Sequence, residues 1–109
     1  MEINTKKERN TLIISLKGRM DAVTSPEFEK SLKELIEAGE NNILINLSGL
    51  EYISSAGLRS ILTIAKLLKA KEGKILFSGL QGPVKDVFNI SGFGSIFKIY
   101  DSEAAALKA

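Results

Sequence analysis

Two adjacent hydroxyls stand at a junction in Tyr52-Ile53-Ser54-Ser55-Ala56-Gly57-Leu58-Arg59, with a strand-like apolar run before them and a helix-like one after. The chemistry open to them is narrow. A serine nucleophile needs a base to take its proton, and the chain has no histidine. Nothing near Ser54 resembles Ser-x-x-Lys or Gly-x-Ser-x-Gly. Accepting a phosphate is a different matter. A helix N-terminus presents unpaired N–H groups and the positive end of the helix dipole. A phosphate formed there gains hydrogen bonds and a favourable field. It would add roughly −1.5 to −2 charges to a chain whose formal net charge is +2. Ala56 and Gly57 are small enough to let another protein, or a phosphate-transferring enzyme, approach the backbone. The competing reading is structural: serine is a favoured N-cap, worth about 1 kcal/mol. Gly57 counts against a cap alone, because glycine inside a helix costs about 1 kcal/mol. Arg59 reads as part of a solvated helix face.

Other chemistries find less support. The chain has no cysteine, so a disulfide framework and thiolate metal sites are excluded. Without histidine, the commonest metal ligand and the commonest general base are both missing; no metal and no cofactor is expected. Gly79-Leu80-Gln81-Gly82 and Gly92-Phe93-Gly94 match neither a phosphate-cradling loop with its lysine nor the three-glycine dinucleotide turn. The lysines are scattered, so the charge pattern does not call for nucleic acid or an anionic membrane. No apolar run is long enough to span a bilayer, and the polar start Met1-Glu2-Ile3-Asn4-Thr5-Lys6-Lys7-Glu8-Arg9-Asn10 lacks a signal peptide's apolar stretch. The expected location is the cytoplasm.

The elements that must position the serines can be read from apolar spacing. The 109 residues, 44% hydrophobic and 26% charged, suit one domain over 1–109. A weak edge strand over Met1–Lys7 folds back through Glu8-Arg9-Asn10 onto a strand at Leu12–Lys17, which ends near Gly18. A helix starts at Thr24-Ser25-Pro26-Glu27. Either Ser25 caps it with Pro26 first inside, or Thr24 and Glu27 form a capping box. Phe28, Leu32, Leu35 and Ile36 follow at helical spacing, and Gly39 closes it. Ile43–Leu47 is a nearly unbroken apolar run, as in a sheet covered on both faces. Ser48–Tyr52 is then expected to lead away from the sheet.

A helix from Ser54 or Ser55 to about Lys71 should bury Leu58, Ile61, Leu62, Ala65 and Leu68, with Arg59, Lys66 and Lys69 towards solvent. A strand at Lys74–Ser78, a helix over Pro83–Ile90, a strand at Ile96–Ile99 and a helix capped by Asp101-Ser102-Glu103 complete the chain. The order ββαβαβαβα predicts an α/β fold: a mixed, mostly parallel sheet of four to five strands with helices packed on it.

These stretches resemble the STAS-domain group of bacterial anti-sigma factor antagonists. Gly18-Arg19-Met20-Asp21-Ala22 resembles the family's turn after the second strand, Ile43-Leu44-Ile45-Asn46-Leu47-Ser48-Gly49-Leu50 its central strand and exit, and Ile53-Ser54-Ser55-Ala56-Gly57-Leu58 its phosphorylation motif. The resemblance implies that Ser55 is the phosphoacceptor, with Ser54 the alternative because it stands where many members have Asp. It implies a partner surface of Asp21, Ser54, Ser55, Ala56, Gly57, Leu58 and Arg59. It implies no enzyme but a substrate and switch in transcription regulation. The unphosphorylated protein would bind an anti-sigma factor that is also a serine protein kinase, freeing a sigma factor. Phosphorylation would break the complex, and a PP2C-type phosphatase would restore it. The rival implication is an unphosphorylated STAS scaffold, or an accessory subunit of a lipid-transport ATPase or signalling complex. From the residues alone, Asp21 also reads as a loop carboxylate capping local N–H groups.

Overall fold

A computed structural model describes residues 1–109. The elements in chain order are β1 (Glu2–Glu8), β2 (Thr11–Met20), α1 (Ser25–Glu37), β3 (Asn42–Ile53), α2 (Ser55–Ala70), β4 (Lys74–Ser78), α3 (Gly82–Ser91), α4 (Phe93–Ile96), β5 (Lys98–Tyr100) and α5 (Glu103–Leu107). The expected order holds, with the short helix α4 added. One five-stranded sheet runs β1-β2-β3-β4-β5. The edge strand β1 is antiparallel to β2, through a two-residue turn with Arg9 and Asn10 both at positive φ. The other pairs are parallel.

Alternation sorts the strands onto two faces. Leu12, Ile14, Leu16, Ile43, Ile45, Leu47 and Phe77 share one cluster with Phe28, Leu32 and Ile36 of α1, Ile61, Ile64 and Leu68 of α2, and Val84 and Phe88 of α3. The opposite face buries Ile13, Leu44 and Leu76 under Ala106 of α5. A sheet covered on both faces explains the unbroken apolar run at Ile43–Leu47. The buried line of α2 is Gly57, Ser60, Ile61, Ile64 and Leu68. Leu58, Leu62 and Ala65 are only half-buried, so the buried stripe lies to one side of the expected one. Gly57 lies against the ends of β2 and β3, and Ser60 lies towards α1.

Three boundaries differ from expectation. Ser48–Tyr52 does not leave the sheet: β3 continues to Ile53 alongside β2, which itself runs on to Met20. The pairing slips between Ser15 and Lys17 and again between Gly18 and Arg19, so β3 holds two more residues than β2. These bulges keep Leu47, Leu50 and Ile53 on the buried side. Gly49 makes the first one possible, since a Cβ there would lie 2.9 Å from the Leu16 carbonyl oxygen. At α1 neither expected cap forms. Thr24 is the N-cap residue but its side chain does not cap, and the Ser25 hydroxyl has no partner.

The last strand is Lys98–Tyr100 rather than Ile96–Ile99. Gly92, left-handed at φ 81°, ends α3 and turns the chain into α4. That turn carries Phe93 and Phe97 onto Phe88 and Phe77, with ring centroids 5.0–5.7 Å apart. Such edge-to-face packing is worth more than the spacing of a local strand pattern. Ile96 is left 61% exposed at the end of α4.

Candidate functional site

The site is built where β2 and β3 end side by side. Met20 pairs with Ile53, and the Ser54 N–H donates to the Met20 carbonyl oxygen at 2.9 Å. The residues that follow each strand, the Asp21 turn and the first turn of α2, are thereby held together. This is the carboxyl end of the parallel strands, where open α/β sheets place their binding surfaces.

Ser54 is the N-cap of α2. Its backbone is extended, and its Oγ accepts from the Gly57 N–H at 3.3 Å. Ser55 is the first helical residue and is exposed. Its N–H and that of Ala56 lie ahead of the first intrahelical bond, Leu58 N–H to the Ser54 carbonyl oxygen, and have no partner in the chain. The two serines thus divide the two readings of the sequence. Ser54 supplies the cap; Ser55 offers a free hydroxyl beside two free amides.

Gly57 faces inward. It is buried, and a Cβ there would stand 2.7 Å from Ile53 Cγ1 and 3.1 Å from the Met20 carbonyl oxygen. Its small size lets α2 close onto the strand ends. The expected approach of a partner to this glycine is therefore corrected: the close contact is internal. Ala56 and Leu58 are half-buried, and Arg59 is exposed.

Asp21 organises its own turn. Its Oδ1 accepts from the N–H groups of Val23 at 3.0 Å and Thr24 at 3.1 Å. The Thr24 Oγ1 accepts from the Asp21 N–H at 2.9 Å and donates to the Arg19 carbonyl oxygen at 2.8 Å. The Thr24 amide, then the Val23 amide and the Arg19 guanidinium 4.0 Å away, hold the Asp21 carboxyl below its ordinary range. The capping reading of Asp21 is what the geometry shows, and the carboxylate stays charged at the rim.

Between the first turns of α1 and α2 lies a cleft of about 360 Å³, lined by Ala22, Ser25, Pro26, Glu29, Ala56, Arg59 and Ser60. It joins the Asp21 turn and the Ser55 turn into one surface. Three residues of this end were not singled out from sequence. Val23 is 85% exposed at the tip of the Asp21 turn. The Arg19 guanidinium lies 4.2 Å above the ring of Tyr52, itself 38% exposed. For Val23 a signal existed: an apolar side chain in a polar turn, outside any periodic face. The Arg19–Tyr52 pair depends on the second bulge and had none. No three histidine, cysteine or carboxylate side chains gather as metal ligands, and no helix is long and apolar enough to cross a membrane.

Comparison with known proteins agrees with this architecture. The protein BtrV of Bordetella bronchiseptica, provisionally named an anti-sigma factor antagonist, is 37% identical over 109 residues, which cover 100% of this chain and 94% of that relative. The anti-sigma F factor antagonist of Paenibacillus polymyxa is 32% identical over 108 residues, covering 98% and 92%. Among solved structures, a provisionally named anti-sigma factor antagonist of Thermotoga maritima superposes with a TM-score of 0.91 at 24% identity, covering 97% of this chain and 92% of that one. The Bacillus cell fate determinant SpoIIAA in its phosphorylated form gives 0.77 at 22% identity, covering 98% and 97%. The family description "STAS domain" matches residues 2–106. Nearly the whole length is thus accounted for by one family, and the chain belongs to the STAS-domain family.

Proposed function

We propose that this protein is an anti-sigma factor antagonist switched by phosphorylation of Ser55. The observation that carries the reading is the exposed Ser55 hydroxyl at the first position of α2, beside the unpartnered amides of Ser55 and Ala56. In the unphosphorylated form, the surface made by the Asp21 turn and the first turn of α2 binds an anti-sigma factor that is also a serine protein kinase. Binding releases a sigma factor. The kinase then moves the γ-phosphoryl group of ATP to the Ser55 oxygen, and the complex parts. A PP2C-type phosphatase hydrolyses the phosphoserine and resets the switch. The protein is the substrate in both steps, and the cytoplasm is where these partners meet.

Physical reasons support the scheme. A phosphate on Ser55 gains hydrogen bonds from the free amides and sits at the positive end of α2. It also places a dianion on the surface that carries the charged Asp21 carboxylate, so a partner edge that tolerated one negative group meets three charges. The names of the relatives and the existence of a phosphorylated Bacillus neighbour point the same way.

The test is phosphorylation with the cognate kinase and ATP, mapped by mass spectrometry. Ser55→Ala is expected to abolish transfer, and Ser54→Ala to retain it. Transfer that persists in Ser55→Ala and disappears in Ser54→Ala would move the acceptor by one residue. No transfer to either, with transporter subunits recovered as partners, would favour the scaffold reading.

A further inference from the structure

The far end of α2 carries a second surface. A groove of about 370 Å³ runs between the C-terminal half of α2, β4 and the α4–β5 corner. Its floor is apolar, formed by Leu62, Leu68, Ile75 and Phe97, with the exposed Ile96 at one lip. β5 pairs with β4 only from Leu76 onwards, so Lys74 and Ile75 have no strand neighbour on this side.

The rim has one sign. Lys66 and Lys69 of α2, Lys74 of β4 and Lys98 of β5 all line the groove, and no carboxylate does. All four are exposed. The ion pairs of the molecule employ Lys6, Lys7, Lys33 and Arg19, and none of these four. Four unpaired ammonium groups around an apolar floor repel one another until something negative arrives.

We infer that this groove docks an acidic amphipathic segment of a partner protein, with one or two large apolar side chains in the groove and Glu or Asp residues against the lysines. Shape favours a peptide over a membrane surface. Apart from Ile96 the apolar atoms are recessed, whereas a lipid-binding face needs protruding ones. Recessed floors accept protruding side chains, as in helix-in-groove recognition. Along α2 the groove extends from Leu62, seven residues beyond Ser55 and about 10 Å at the helical rise, to Lys69, about 21 Å away. The groove and the Ser55 surface can therefore be occupied together, and the inference does not rest on phosphorylation.

The experiment titrates the ¹⁵N-labelled full chain with a synthetic amphipathic peptide that has Leu and Phe on one face and Glu on its flanks. Saturating shift changes are expected at Leu62–Lys69, Lys74–Ile75 and Ile96–Lys98, weakening with added salt. Lys66→Glu combined with Lys69→Glu should reduce affinity about tenfold or more. Ile96→Glu should also reduce it, and Ser55→Ala should leave it unchanged. Any of four results would overturn the inference: equal binding of a peptide with Lys in place of Glu, unchanged affinity in the lysine-reversed variant, self-association through the groove in sedimentation, or shift changes at these residues with anionic vesicles but not with the peptide.

Discussion

Three serines near the site hold different positions, and their variants should separate. The Ser54 Oγ caps α2, so Ser54→Ala is expected to cost about 1 kcal/mol of stability in urea unfolding. Ser54→Asp should restore the cap. The Ser25 hydroxyl is buried at 2% exposure with no partner. Removing an unpaired buried hydroxyl releases a desolvation cost, so Ser25→Ala should leave stability unchanged or raise it. Ser55 is exposed and caps nothing, so Ser55→Ala should leave stability unchanged and remove only the proposed phosphate transfer. Asp21 adds a pH dependence. Its carboxyl is held below the ordinary range in the folded state, chiefly by the Thr24 amide. Its contribution is therefore present above the unfolded carboxylate pKa and lost as pH falls through the folded value. Relative to Asp21→Asn, the native protein should be more stable at neutral pH, with the gap closing under acid unfolding conditions.

The elements around the site are set by close approach. Gly57→Ala would drive a Cβ to 2.7 Å from Ile53 Cγ1, which is not the tip of its side chain, and to 3.1 Å from a Met20 backbone oxygen. The strand end or α2 must shift, at a cost of about 1–3 kcal/mol. Such a variant should show lower thermal stability and weaker partner binding together, since both turns ride on that contact. On the other face, Ala106 packs α5 onto the sheet and Glu103 adds a polar tether. Glu103 accepts from Asn46 Nδ2 at 2.8 Å and lies 3.4 Å from Lys6 Nζ. Glu103→Ala should raise amide exchange in α5 while sparing α2, because few apolar contacts hold so short a helix.

For the whole molecule, the proposed switch requires no second fold. Ser55 lies at the end of a helix whose buried line, Ile61, Ile64 and Leu68, belongs to the main core. Added phosphate meets free amides and no buried group. Phosphorylation should therefore keep the far-UV circular dichroism and raise stability by at most about 1 kcal/mol. Its effect should appear as lost partner affinity, measured by titration calorimetry, with shift changes confined to the Asp21 turn and the first turns of α1 and α2. A large loss of stability on phosphorylation would argue against a purely local switch.

Local patterns were enough to read strand and helix order, the parallel sheet and a serine at the mouth of a helix, because apolar periodicity and capping chemistry act over a few residues. The same patterns left the role of each serine open. Only the packed structure separated the capping hydroxyl from the exposed one, since that depends on which hydroxyl faces Gly57 and which faces water. The bulged path of β3 past Ser48, the inward use of Gly57, the α4 turn under the phenylalanine cluster and the lysine-rimmed groove were likewise decided by tertiary contacts. Each arises where residues distant in sequence come within a few ångströms, and no local spacing encodes that.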